Sequence, residues 1–226
     1  LIDAAPPPPI YCVDTGPRVV LVVGTPPDRE SRFARPMRKA KRLRNETEDL
    51  FSRLSGYGIR WACGGPRRIP LTPISETEDG RYSREDAETD QARADLDGED
   101  INLVLLYDGD PRDTHGSVSR IDNDSTPGLS NPNNVGPRTS LVVEWTRKVV
   151  LHELAHSWGA VQHDAPHEDD HRHCTDGRDV LCWWAPGPCR TITFDCRRDD
   201  YFNPDPEPGS YLDTHFNIAT DSVWVQ

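Results

Sequence analysis

Two short runs constrain the fold of this chain more than anything else in it: Arg18 to Gly24 (RVVLVVG) and Ile101 to Tyr107 (INLVLLY). Each is dominated by β-branched and aliphatic residues and only seven residues long, which suits a buried strand. The first is closed by Thr25, Pro26 and Pro27. Between the runs, from Ala34 to Leu54, positions 40, 43, 47, 50, 51 and 54 recur at helical spacing, and Ser55, Gly56 and Gly58 stop the pattern. Strand, helix and strand in that order predict an α/β layer with a mostly parallel sheet. Ile59 to Cys63 adds a further strand. Gly116 to Ile121 (GSVSRI), with Gly116, Ser117 and Val118 at its start, has the weak alternation and turn-forming flanks of an edge strand. Ser75 to Asp100 is polar and aperiodic and predicts surface loop with one or two helical turns, and Asn131 to Pro137 predicts loop.

The 226 residues suffice for one domain with its own core. Lys and Arg number 26 against 38 Asp and Glu, a net charge of -12 that opposes a phosphate-rich partner, so nucleic acid is excluded as a substrate class. The cationic first half of the Ala34–Leu54 segment, from Arg35 to Arg44, is expected to be a solvated helix face. No apolar run approaches the roughly 20 residues that a membrane helix needs. Six cysteines, at 12, 63, 174, 182, 189 and 196, form no CxxC pair and predict disulfides and an oxidising, extracellular setting. Cys12 is expected to pair with Cys63, and the four late cysteines to pair locally. The start at Leu1, with Pro6 to Pro9 following, is that expected of a mature secreted form.

Chemistry is concentrated in Leu141 to Asp164, LVVEWTRKVVLHELAHSWGAVQHD, whose pattern predicts a helix over about 142–158. His152 and His156, four residues apart, project from one helix face and can reach a common ion. Glu153 is offset around the helix, where its carboxylate can serve a metal-held water without ligating. Gly159 breaks the helix, and the turn is expected to bring His163 back as third ligand, leaving a fourth position for water. Zinc is the expected ion, with Glu153 as general base and acid. Later histidines (His167, His171, His173) lie in an acidic run expected to be solvated loop, with a secondary metal site, or one of them as ligand in place of His163, as the alternatives. Aspartates at 108, 110 and 113, and at 122 and 124, are candidate calcium ligands without EF-hand spacing.

HELAHSWGAVQHD resembles the zinc helix of the metzincin metalloproteases. The downstream HCTDGRDVLCWW is similar to the Met-turn region of small secreted bacterial members, and the likeness extends over residues 100 to 226. The resemblance implies an upper subdomain over 1–163, a small irregular disulfide-rich lower subdomain over 164–226, and a cleft between them. It implies a structural role for Asp164 directly after His163. Leu181 stands where the family has its methionine, and Trp183 where some members have a tyrosine. Trp183 and Trp184 are candidates to line or cap a substrate pocket, with a role as core aromatics as the alternative. The activity implied is a monomeric, secreted zinc endopeptidase that binds its peptide antiparallel to the edge strand. Two other readings fit the same residues: a zinc-stiffened extracellular binding module without turnover, and a zinc hydrolase of non-peptide bonds.

Overall fold

The computed structural model describes residues 12–26, 31, 33–71, 101–109, 116–118, 125–169, 171–182 and 187–226. The two apolar runs are β2 (Arg18–Thr25) and β5 (Ile101–Tyr107), paired in parallel from Arg18 opposite Ile101 to Gly24 opposite Tyr107. All seven residues of β5 are buried, as expected of a strand with both faces covered. Around this pair lie β1 (Cys12–Val13), β3 (Trp61–Ala62), β4 (Arg67–Pro70), β6 (Gly116–Val118) and β7 (Arg138–Val142). The sheet order is β1-β3-β2-β5-β7-β6, with β4 pairing β2 beside β3. Every pairing is parallel except β6 against β7, so the fold is mixed α/β with a mostly parallel sheet and an antiparallel edge. Of the expected edge strand Gly116–Ile121, residues 116–118 are strand and 119–121 lie outside the described residues, as do 75–100.

The period-two alternation of β2 separates two apolar layers. Val19, Leu21 and Val23 face the same layer as Val104 and Leu106, whereas Val20 and Val22 face the other with Leu103 and Leu105. Onto the first layer pack α1 (Pro36–Ser55), through Ala40, Leu43 and Phe51, and α2 (Arg147–Ser157), through Val149, Val150, Leu151 and Leu154. On α1, Arg38, Lys41 and Arg42 are exposed, and Arg42–Glu46 and Asp49–Arg53 form surface pairs one turn apart, as expected of a solvated face.

The second long helix is shorter than 142–158. It begins at Arg147, where Thr146 is the N-cap and its Oγ1 accepts from Val149 N at 3.3 Å. Leu141 and Val142 belong instead to β7, which supplies the strand next to β5. Continuous apolar character over LVV serves a buried strand as well as a buried helix turn, and the vacancy beside β5 decides between them.

Among the described residues after α2, the chain is irregular apart from α3 (Tyr211–Thr214) and α4 (Ile218–Asp221). Three disulfides staple the described chain: Cys12–Cys63, which ties β1 beside β3, and the local pairs Cys174–Cys182 and Cys189–Cys196. The tail is not a separate core. Phe51 on α1 meets Trp158, Phe194 and Phe202 edge-on at 5.5, 4.9 and 6.4 Å, and Val180, Leu181 and Tyr201 join the same apolar cluster. Each such fully buried side chain contributes about 1.5–3 kcal/mol relative to exposure. No helix among the described residues is long and apolar enough to cross a membrane.

Candidate metal centre

His152 and His156 lie one turn apart on α2 with their rings at 85° and their centroids 4.7 Å apart. His152 Nδ1 lies 3.0 Å from the carbonyl oxygen of Val180. A carbonyl accepts only, so Nδ1 carries the proton and Nε2 presents a lone pair. The third imidazole that converges on this pair belongs to His173. Its Nε2 is 3.2 Å from His152 Nε2 and 3.4 Å from His156 Nε2. Three nitrogens on one tetrahedral ion with bonds of about 2.0–2.1 Å stand about 3.3 Å apart, so the spacing fits a shared first-row metal. His152 and His156 are buried and His173 is half-buried.

His163 is not in this cluster. Its side chain is 64% exposed and its Nδ1 lies 3.9 Å from Glu168 Oε2. The metzincin pattern HExxHxxGxxH places its third histidine six residues after the second. Counted from His156 that position is Gln162, and His163 comes one residue later. Gln162 is buried and donates from Nε2 to Gly159 O at 2.8 Å. The additional residue turns the chain through a left-handed Val161 (φ 48) and sends His163 outward. Asp164 is exposed as well.

The helix break itself forms as expected. Gly159 has φ 96, Gly159 N donates to His156 O at 3.0 Å, and Ala160 N donates to Ala155 O at 2.9 Å, which together make a Schellman turn. A side chain at 159 would also strike Asn133 Nδ2 at 2.6 Å.

His173 arrives on a hairpin-like loop. Asp169 N donates to His173 O at 2.9 Å, Thr175 N donates to His167 O at 2.8 Å, and Glu168 pairs with Cys174. Inside the loop, Asp169 Oδ1 accepts from His171 N and His173 N at 2.9 and 3.0 Å. The next residue, Cys174, is bonded to Cys182, two residues after Val180. One disulfide therefore fixes the third histidine to the segment that orients the first. The only sequence sign of this was the adjacency of His173 and Cys174 in a run otherwise read as solvated.

Leu181 is fully buried in the same apolar cluster as α2, and its N–H donates to Asp179 Oδ1 at 2.7 Å. The Asp179 carboxylate also accepts from Cys196 N at 2.8 Å and from the Tyr201 hydroxyl. Burial pushes the Asp179 carboxyl up to about 7 against those three bonds, and burial pushes Asp195 up as well, with the Asp179 charge adding to it. Trp183 and Trp184 lie outside the described residues.

Glu153 is buried, and its carboxylate lies over β6. A Cβ built on Gly116 would sit 2.5 Å from Glu153 Oε1 and 2.7 Å from Leu141 O, so only glycine permits this approach. Ser140 Oγ donates to Glu153 O at 3.2 Å, tying β7 to the same turn of helix. The site thus combines three convergent imidazoles, one buried carboxylate and a strand edge. Of the calcium candidates, Asp108 is buried and accepts from Ser31 Oγ at 2.7 Å, and Asp110, Asp113, Asp122 and Asp124 lie outside the described residues.

No family profile, no curated protein and no solved structure matches this chain.

Proposed function

We propose that the chain is a secreted zinc endopeptidase in which His152, His156 and His173 hold the ion and Glu153 carries the proton. The observation that carries this reading is the convergence of three imidazole Nε2 atoms at 3.2 and 3.4 Å beside the glutamate of an HExxH helix. Among the described residues three nitrogen donors converge, the donor set of a catalytic zinc site, and imidazole suits zinc among the available ions. Zinc held there would polarise a substrate carbonyl and lower the pKa of a water.

Glu153 is the general base that removes a proton from the attacking water and the general acid that returns it to the leaving amide nitrogen. Its position over Gly116 puts that proton transfer next to the end strand of the sheet. An extended peptide would add antiparallel to β6, the end strand of the described sheet. Val180 O keeps the His152 ring in one tautomer and one orientation. An antiparallel edge strand (β6), an HExxH helix (α2), a glycine break at Gly159 and the buried Val180–Leu181 segment support this reading. The third ligand comes from further along the chain than in the metzincin pattern. Three disulfides in the described chain are compatible with an extracellular setting.

The test joins metal analysis of the purified chain to hydrolysis of casein by wild type, Glu153→Ala and chelator-treated protein. About one zinc with chelator-sensitive, Glu153-dependent cleavage is expected. Zinc bound without cleavage of casein or of a broad peptide library would replace the protease by a zinc-stiffened binding module.

A further inference from the structure

The hairpin-like loop that carries His173 is closed at its base by a second group of donors. His167 opens the loop and Asp176 follows it, and against them lie Asp199 and Asp200 from the tail. One donor atom from each of the four lies within 4.8 Å of the others. His167 Nδ1 is 3.0 Å from Asp200 Oδ1 and 3.6 Å from Asp199 Oδ1. Asp200 Oδ1 also accepts from His167 N at 2.9 Å.

Three carboxylates around one imidazole cannot balance their own charge, and burial makes the imbalance costly. Asp200 is 2% exposed and Asp176 6%. Asp200 Oδ2, Asp176 Oδ2 and Asp199 Oδ1 are buried and accept no hydrogen bond. The remaining oxygen of Asp176 lies 3.4 Å from Cys182 Sγ, which is bonded to Cys174 and has no proton to give. Burial pushes the Asp176 carboxyl up and the Asp199 charge adds to this, against His167 and Arg197, which favour its ionised form. Donor atoms this close, on carboxylates with buried oxygens that accept no hydrogen bond, are the arrangement that a cation would neutralise.

We propose that His167, Asp176, Asp199 and Asp200 form a second cation site, which takes a divalent first-row transition metal and clasps the loop that presents His173. One imidazole among carboxylates disfavours calcium, which takes oxygen ligands, and suits manganese or a neighbour of it in the series. Two of the ligands bracket the loop and two come from the tail, so an ion here locks residues 167–176 onto 199–200. This clasp stands or falls separately from hydrolysis at the histidine centre.

The probe is Mn2+ alone, added to the full chain carrying one equivalent of zinc and followed by the electron paramagnetic resonance of free and bound Mn2+. Wild type should bind one Mn2+, and His156→Ala should bind it equally well, which separates this site from the histidine triad. Asp200→Asn keeps an oxygen to accept from His167 N but removes a charge, and should bind Mn2+ at least tenfold more weakly. Asp199→Asn, at a half-exposed position that tolerates the change, should do the same with an unaltered far-UV circular dichroism spectrum. The Asp199→Asn variant should also lose zinc to a chelator at least fivefold faster in the presence of Mn2+. Folded wild type that binds no Mn2+, or binding undiminished in both aspartate variants, would overturn the site. An unchanged zinc loss rate would overturn the clasp.

Discussion

At the scale of single residues, the identity of the third imidazole is the decisive point. His163 and His173 are both histidines past the helix, yet only His173 has its Nε2 within 3.4 Å of the other two. His173→Ala should lower zinc affinity by at least a hundredfold, whereas His163→Ala, at an exposed position, should leave zinc content and cleavage rate within about twofold of wild type. Competition with a chromogenic chelator reads both, and the opposite ranking would return the ligand role to His163. Gly116 supports a second prediction. Gly116→Ala pushes a methyl group into the Glu153 carboxylate on one side and the Leu141 carbonyl on the other, and backbone cannot yield. Displacing the proton carrier by an ångström costs about a hundredfold in rate. The variant should therefore keep its zinc and lose casein cleavage, and retained cleavage would show that Glu153 does not work from this position.

At the scale of elements, strands and helices with a strong period were legible and shared apolar runs were not. β2, β5 and α1 follow from RVVLVVG, INLVLLY and the apolar spacing after Ala34, because burial on both faces or on one stripe leaves a mark in the sequence. β7 was hidden, since Leu141 and Val142 continue an apolar pattern into α2 and only the place beside β5 makes them strand. The hairpin-like loop was hidden for a different reason. Its order comes from Asp169 bonds to backbone, the 168–174 pairing and one disulfide, none of which has a period to read. That disulfide gives an element-scale prediction. Cys174 and Cys182 are eight residues apart, and the chain-entropy argument gives such a closure about 2 kcal/mol. Replacing both by serine should lower the stability of the fold by about that amount and, because His173 adjoins Cys174, weaken zinc binding at least tenfold. Urea unfolding and chelator competition measure the two effects. Loss of stability with unchanged zinc affinity would mean that the loop holds His173 without its disulfide.

At the scale of the whole molecule, the tail and the helix layer are one core, and Asp179 is the polar joint inside it. Its carboxylate gathers Leu181 of the apolar cluster shared with the histidine helix, Cys196 of the last disulfide and Tyr201 of the tail. Sequence could not announce this, because an aspartate in DGRDVLC has the composition of a turn and acquires its role only when three distant donors meet it. Burial raises its carboxyl to about 7, well above its value in an unfolded chain near 4, so the native state holds the proton more tightly. Such a group contributes stability in full below about pH 4 and loses it as pH rises through about 7, since above that value folding requires a buried charge. Between pH 5 and pH 8 the loss is roughly 2–3 kcal/mol for one site with that shift. Asp195, raised in the same direction by burial and by the Asp179 charge, titrates with it and acts with the same sign. Asp179→Asn cannot supply acceptors to all three donors, so it should be less stable than wild type at pH 5. Having no proton to lose at 179, it should close most of that gap at pH 8. Urea unfolding of both proteins at the two pH values, with chelator present so that metal contributes at neither, measures the difference directly. A gap that stays constant would show that Asp179 is already ionised in the native core at pH 5, held so by its three donors.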